Sequence, residues 1–154
     1  MSKIVVWGDS ITWGSADDEL GGWVNRLRRD LVNNRRSENL VYNLGIRGEK
    51  VGDVLKRFER EYRDLKPDII ILGIGINDSP HATYRKGTSL DVFERRYSEL
   101  VKKMKDVSNK IIIIGPINLL SLKAGNTTAI NGSLCWAFME KSLLMSSIPK
   151  TICY

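Results

Sequence analysis

A chain of 154 residues that is 42% hydrophobic has the material for one domain, and a domain of that size buries roughly two thirds of the surface its unfolded chain exposes. No run reaches the about 20 apolar residues of a membrane span, and Met1 to Thr12 lacks the order of a secretory leader, so the expectation is a cytoplasmic protein with no membrane partner. The net charge of +6 is interleaved with acid, Arg26, Arg28, Arg29, Arg35 and Arg36 with Asp30 and Glu38, and Lys102, Lys103 and Lys105 with Asp106, which describes solvated helix faces and argues against a nucleic-acid partner.

Ile4 to Trp7 is an apolar run closed by Gly8, the pattern of a buried strand that feeds a turn. Gly21 and Gly22 lead into Trp23, Val24, Leu27, Leu31 and Val32, whose spacing predicts a helix. Leu40 to Tyr42 is a shorter strand candidate. Val51, Val54, Leu55, Phe58 and Tyr62 recur at intervals of three and four and stop before Pro67, predicting a helix with one apolar stripe. Ile69 to Leu72 is continuous and largely β-branched, as a strand covered on both faces requires. Leu90, Phe93, Tyr97, Leu100, Val101 and Met104 mark a long helix with Thr88 or Ser89 as its cap, and Ile111 to Ile114 a fourth strand. The alternation of strand and helix calls for an α/β fold, a parallel sheet with helices on both faces joined by right-handed crossovers. Such sheets bind ligands at the carboxyl ends of their strands.

Three of those strand ends carry polar or glycine-rich segments. Gly8-Asp9-Ser10-Ile11-Thr12 follows the first strand. A serine at a strand-to-helix turn presents its hydroxyl at the open edge of the sheet, with free amides nearby to hold an oxyanion; equally, Ser10 could simply cap the next helix. Asn43-Leu44-Gly45-Ile46-Arg47-Gly48 follows the second strand, where glycine lets a backbone amide come close to a substrate, although a plain turn explains it as well. Gly73-Ile74-Gly75-Ile76-Asn77-Asp78 follows the third, where Asn77 could aim its side-chain amide at the same point or merely serve a turn.

Taken together, these segments resemble the SGNH hydrolases, the GDSL esterases and lipases, over roughly residues 3 to 118. Gly8-Asp9-Ser10-Ile11 is similar to the family's first block, which makes Ser10 the implied nucleophile and its amide an oxyanion donor. Gly48 matches the glycine of the second block, whose amide helps form the oxyanion hole, and Gly75-Ile76-Asn77-Asp78 matches the third, G-x-N-D, in which Asn77 donates to the same hole. The resemblance implies a three-layer, flavodoxin-like sheet, serine esterase or lipase chemistry on a small acyl ester, and no metal or organic cofactor. Asp9 and Asp78, which might be mistaken for a carboxylate pair, are by resemblance supporting residues that fix the turns through hydrogen bonds.

The family's fourth block, D-x-x-H near the carboxyl terminus, supplies the histidine base and the aspartate that orients it, and no such motif occurs in that part of this sequence. The last aspartate is Asp106 and the single histidine is His81, three residues after the third block. A serine hydroxyl is a weak nucleophile until a base takes its proton, and without the triad only ~10³ to 10⁴-fold acceleration over water survives. His81 is the only substitute of the right type, and an exposed loop histidine is the more ordinary reading of it. Trp13 and Trp23 could line a substrate site, but core packing is the commoner fate of such side chains.

Beyond about Leu119 the chain changes character. Of 24 basic and 18 acidic side chains, only Lys123, Glu140, Lys141 and Lys150 lie there, together with both cysteines, Cys135 and Cys153, and an apolar segment from Leu134 to Met139. Two cysteines with no histidine cluster make neither a disulfide framework nor a zinc site. The expected organisation is a core of four strands and three main helices over 1–118 and an atypical tail over 119–154 in place of the family's last strand and helix. An incomplete sheet leaves the Ile111 to Ile114 strand as an exposed edge, so self-association through that edge or through Trp136 and Phe138 of the tail is a further expectation. The alternative to an esterase is a catalytically silent, shortened chain that acts at most as a ligand-binding scaffold.

Overall fold

Successive side chains of β1 (Lys3–Gly8) point to opposite sides of a sheet, and both sides are covered. In the computed structural model, which describes residues 2–33, 39–79 and 86–115, Val5 and Trp7 enter one apolar cluster with Val51, Val54, Phe58, Leu100 and Met104. Ile4 and Val6 enter another with Val24, Val41 and Ile71. A strand buried on both faces has no room for polar alternation, which is why the sequence reads as a continuous apolar run.

The helices follow from the two clusters. α2 (Trp23–Asn33) turns Trp23, Val24, Leu27 and Leu31 onto one face of the sheet. α3 (Val51–Leu65) and α4 (Leu90–Val107) cover the other face and pack against each other. α3 opens with Asp53 in its first turn, accepting from the Lys50 amide at 3.2 Å, and an acid there suits the positive end of the helix. It closes where Lys66 takes a left-handed φ of 47° just before Pro67. Each fully buried Trp7, Phe58 or Leu100 stabilises the fold by about 1.5–3 kcal/mol relative to an exposed side chain.

With β2 (Leu40–Gly45), β3 (Ile69–Gly73) and β4 (Ile111–Ile113), β1 forms a four-stranded parallel sheet in the order β2-β1-β3-β4. The chain steps from β1 to one neighbour, then crosses back over β1 to the other. Reversing the direction of a right-handed crossover places its helix on the opposite face, so α2 lies on one side and α3 and α4 on the other. The expected three-layer α/β arrangement is thus present, and the reversal leaves a crevice at the carboxyl ends of β1 and β3.

β1 and β3 run a residue or so beyond expectation, and further details differ. β2 continues past Tyr42 to Gly45, because its pairing with β1 runs unbroken to Gly8 opposite Gly45. A helix of four residues, α1 (Ser10–Trp13), follows β1 directly; one turn is too short to show a helical period. β4 ends at Ile113 rather than Ile114. None of the described helices is long and apolar enough to cross a membrane. His81, the change of character near Leu119, the apolar segment from Leu134 to Met139 and the expected role of Trp136 and Phe138 in self-association all lie outside the described residues.

Candidate active site

Paired across the sheet at the carboxyl ends of three strands are Gly45, Gly8 and Gly73. α1 sits directly on this row. A Cβ on Gly45 would lie 2.4 Å from the Trp13 nitrogen and 2.9 Å from the Asp9 carbonyl oxygen, and one on Gly8 would lie 2.4 Å from the Gly73 carbonyl oxygen. At Gly45 main chain therefore rests on main chain, and a side chain there would lift the turn that carries Ser10, whereas the space over Gly8 and Gly73 is taken by the Thr12 side chain.

Side chains then lace the three strand-end loops to one another. Asn43 donates from Nδ2 to the Thr12 carbonyl at 2.9 Å and accepts from the Gly45 amide at 2.9 Å, which ties the loop after β2 to α1. Thr12 donates to the Gly73 carbonyl at 3.3 Å, tying α1 to the end of β3. The one-turn 3₁₀ segment Ile76–Asp78 closes the triangle. Asn77 Nδ2 donates to the Glu49 carbonyl at 2.9 Å, and Asp78 accepts from the Val51 amide at 2.9 Å and the Thr88 hydroxyl at 2.6 Å.

Within this frame Ser10 is the first residue of α1 and half-buried, and its hydroxyl bonds to none of the described residues. Asp9, not Ser10, caps the helix, accepting from the Ile11 amide at 2.9 Å. The capping reading of Ser10 is thereby replaced: extended backbone at Asp9 puts its carboxylate over the free amides at the start of α1. Gly48 has φ 76°, a left-handed conformation, and its missing Cβ faces open space. Its amide bonds to none of the described residues, as a donor kept for a ligand would. Asn77 spends one of its two amide hydrogens on Glu49, the residue after Gly48, and keeps the other.

The two supporting aspartates are nearly inaccessible, Asp9 at 2% exposure and Asp78 at 1%. Burial pushes the Asp9 carboxyl up to about 6, the amides of Ile11 and of Asp9 itself oppose the shift, and the nearby charges of Asp78 and Glu49 add to it. Burial also raises Asp78, against the Thr88 hydroxyl and Val51 amide that favour its ionised form. Both carboxylates are committed to holding backbone.

Three features escaped the sequence. Trp13 is 56% exposed at the end of the turn that begins with Ser10, and Ile46, 46% exposed, follows Gly45 in the neighbouring loop; the core fate expected of Trp13 is not what the structure has, its backbone lying against Gly45 and its side chain open to solvent. Trp23 does pack against the core. Arg57, one of many arginines in the sequence, is 10% exposed beneath the loop after β2. Its pairing with Glu49 and Glu61 spans four and eight residues, and only the i, i+4 half of it was readable in advance.

The sequence model of the GDSL-like Lipase/Acylhydrolase family matches residues 6–137. Among solved structures, the chain is 25% identical to a lipase/acylhydrolase from Enterococcus faecalis, with a TM-score of 0.72 over 97% of this chain and 74% of that one. It is 24% identical to an acetyl xylan esterase, with a TM-score of 0.76 over 98% and 76% of the two chains. It is 22% identical to a catalytic mutant of an acetylxylan esterase from Geobacillus stearothermophilus, with a TM-score of 0.71 over 99% and 74%. The last two likenesses are ones of fold. No curated protein matches the chain in sequence.

Proposed function

The chain belongs to the GDSL-like lipase/acylhydrolase family, and on that premise we propose that it hydrolyses small acyl esters, acetylated or short-chain, with Ser10 as nucleophile. The observation that carries the reading is the pairwise lacing of the three loops, with the Ser10 hydroxyl and the Gly48 amide left without partners among the described residues. Ser10 Oγ attacks the ester carbonyl carbon and gives up its proton to a base. The carbonyl oxygen becomes an oxyanion, held by the amides of Ser10 and Gly48 and by the free hydrogen of Asn77 Nδ2. Collapse of that intermediate breaks the bond to the alcohol, which leaves with a proton, and water then releases the acyl group from Ser10. Asp9 and Asp78 act by fixing the turns. Trp13 and Ile46 offer an apolar rim to the substrate.

The base is the weak member of the set. His81 is the only histidine of the sequence, so the only D-x-x-H in these 154 residues is Asp78-Ser79-Pro80-His81, which continues the third block and does not stand apart as a fourth. That observation favours a second reading, a catalytically silent scaffold that binds an ester without turning it over. Hydrolysis of p-nitrophenyl acetate separates the two. Turnover that vanishes in Ser10→Ala supports the enzyme, and a further loss in His81→Ala assigns the base. Equal rates in the wild type and Ser10→Ala refute it.

A further inference from the structure

We infer that Arg57 is the positioning residue of the oxyanion hole. Its guanidinium grips the loop after β2 at both ends. Nη2 donates to the Leu44 carbonyl at 2.6 Å, where the strand ends, and to the Glu49 carboxylate at 2.6 Å, where α3 is about to begin. Nε donates to both Glu49 carboxylate oxygens at 3.0 Å. Between those two anchors lie Gly45, Ile46, Arg47 and Gly48. On its other side Nη1 donates to Glu61 at 2.7 Å, and the same Glu61 oxygen accepts from the buried Trp7 indole at 2.9 Å, so the clamp is bolted to the core.

Glu49 transmits the grip. Its carboxylate is held by Arg57 while its carbonyl receives Asn77 Nδ2, and its own amide is one peptide from Gly48. A single guanidinium thus fixes the residue that orients both the backbone donor and the side-chain donor. It also balances a charge. Glu49 and Asp78 each stand close enough to Asp9 for their charges to be felt there, and an unpaired Glu49 carboxylate would oppose a developing oxyanion. Lysine keeps the positive charge but brings one nitrogen in place of a planar fork, and cannot reach Glu49, Leu44 and Glu61 together.

This inference rests on the ester-hydrolase reading, so its test has a kinetic arm and an arm independent of turnover. In the kinetic arm, Arg57→Lys lowers kcat for p-nitrophenyl acetate on the order of 10²-fold, the loss that an ångström of misplacement costs, with KM nearly unchanged. In the independent arm, ¹⁵N NMR follows the Gly48 amide and the Asn77 side-chain amide, and in Arg57→Lys both shift and the Asn77 hydrogens exchange faster. Arg63→Lys, the same exchange at an exposed arginine of α3 that pairs with Glu59, leaves kcat and both signals as they were. Should Arg57→Lys not fold, Glu49→Gln takes its place, with the same losses expected. A wild type without turnover refutes the hydrolase reading alone, because the NMR arm still decides the clamp. Unchanged Gly48 and Asn77 signals in Arg57→Lys, or in Glu49→Gln in its place, overturn the inference, as does a kinetic loss confined to KM or an equal loss in Arg63→Lys.

Discussion

Replacing Asp9 by Asn probes the buried carboxyl on which the Ser10 turn is built. The amide oxygen still accepts from Ile11, so the cap survives, and only the ionisation is lost. Asp9 is raised from 3.8 to about 6, mainly by burial. At about 1.4 kcal/mol per pKa step, that displacement means an ionised Asp9 subtracts about 3 kcal/mol from folding above pH 6. Between pH 3.8 and 6 the folded protein holds a proton that the unfolded chain has released, so the stability contributed by this group falls as pH rises through that window. Asp78 is displaced in the same direction and is present in both proteins, so only its smaller coupling to the Asp9 charge enters the comparison. Asp17 is lowered chiefly by its hydrogen bond from Arg26, and its contribution is lost only as pH falls below 3.8. Urea unfolding followed by tryptophan fluorescence, with Trp7 as the buried reporter, measures both proteins from pH 4 to pH 8. Relative to Asp9→Asn, the wild type loses about 2–3 kcal/mol over that range, and any constant offset introduced by the amide drops out. Parallel profiles would refute the reasoning, since they would mean that water reaches Asp9 and its proton is held no more tightly than in the open chain.

Gly45→Ala drives a methyl group into the backbone of α1, and overpacking against main chain costs about 3 kcal/mol; urea unfolding at pH 7 measures it. A cost below about 1 kcal/mol would mean that the Ser10 turn moves freely on the sheet. Asn77→Ala removes one oxyanion donor, and kcat for p-nitrophenyl acetate falls by about 10²–10³-fold while Ser10→Ala remains the floor; an unchanged kcat removes Asn77 from the reaction.

The parts of the fold that were legible are those decided by local pattern. Ile69 to Leu72 announces a doubly covered strand, and the stripe from Val51 to Tyr62 announces α3 up to Pro67. What was hidden depends on partners distant in sequence. β2 reaches Gly45 because Gly8 lies opposite, which nothing between Leu40 and Gly45 reveals. Ser89 holds the cap position of α4 without a side-chain bond, and the hydroxyl of Thr88, the other candidate, is given to Asp78. In the site, the motif residues stood out by type and spacing, whereas Arg57 looked like any solvated charge on an amphipathic helix. Its burial requires Leu44, Glu49 and Glu61 to converge, and convergence of that kind is a property of the folded sheet.

Because the Ser10 turn meets Gly45 through main chain and meets Gly8 and Gly73 through its own Thr12, these three strand ends offer no side chain of their own to be resized beneath it. A descendant of this protein that came to accept a larger acyl group or a different alcohol would have little to alter below the reacting atoms, and would have to do its remodelling from above, at Trp13, Ile46 and whatever else borders the opening.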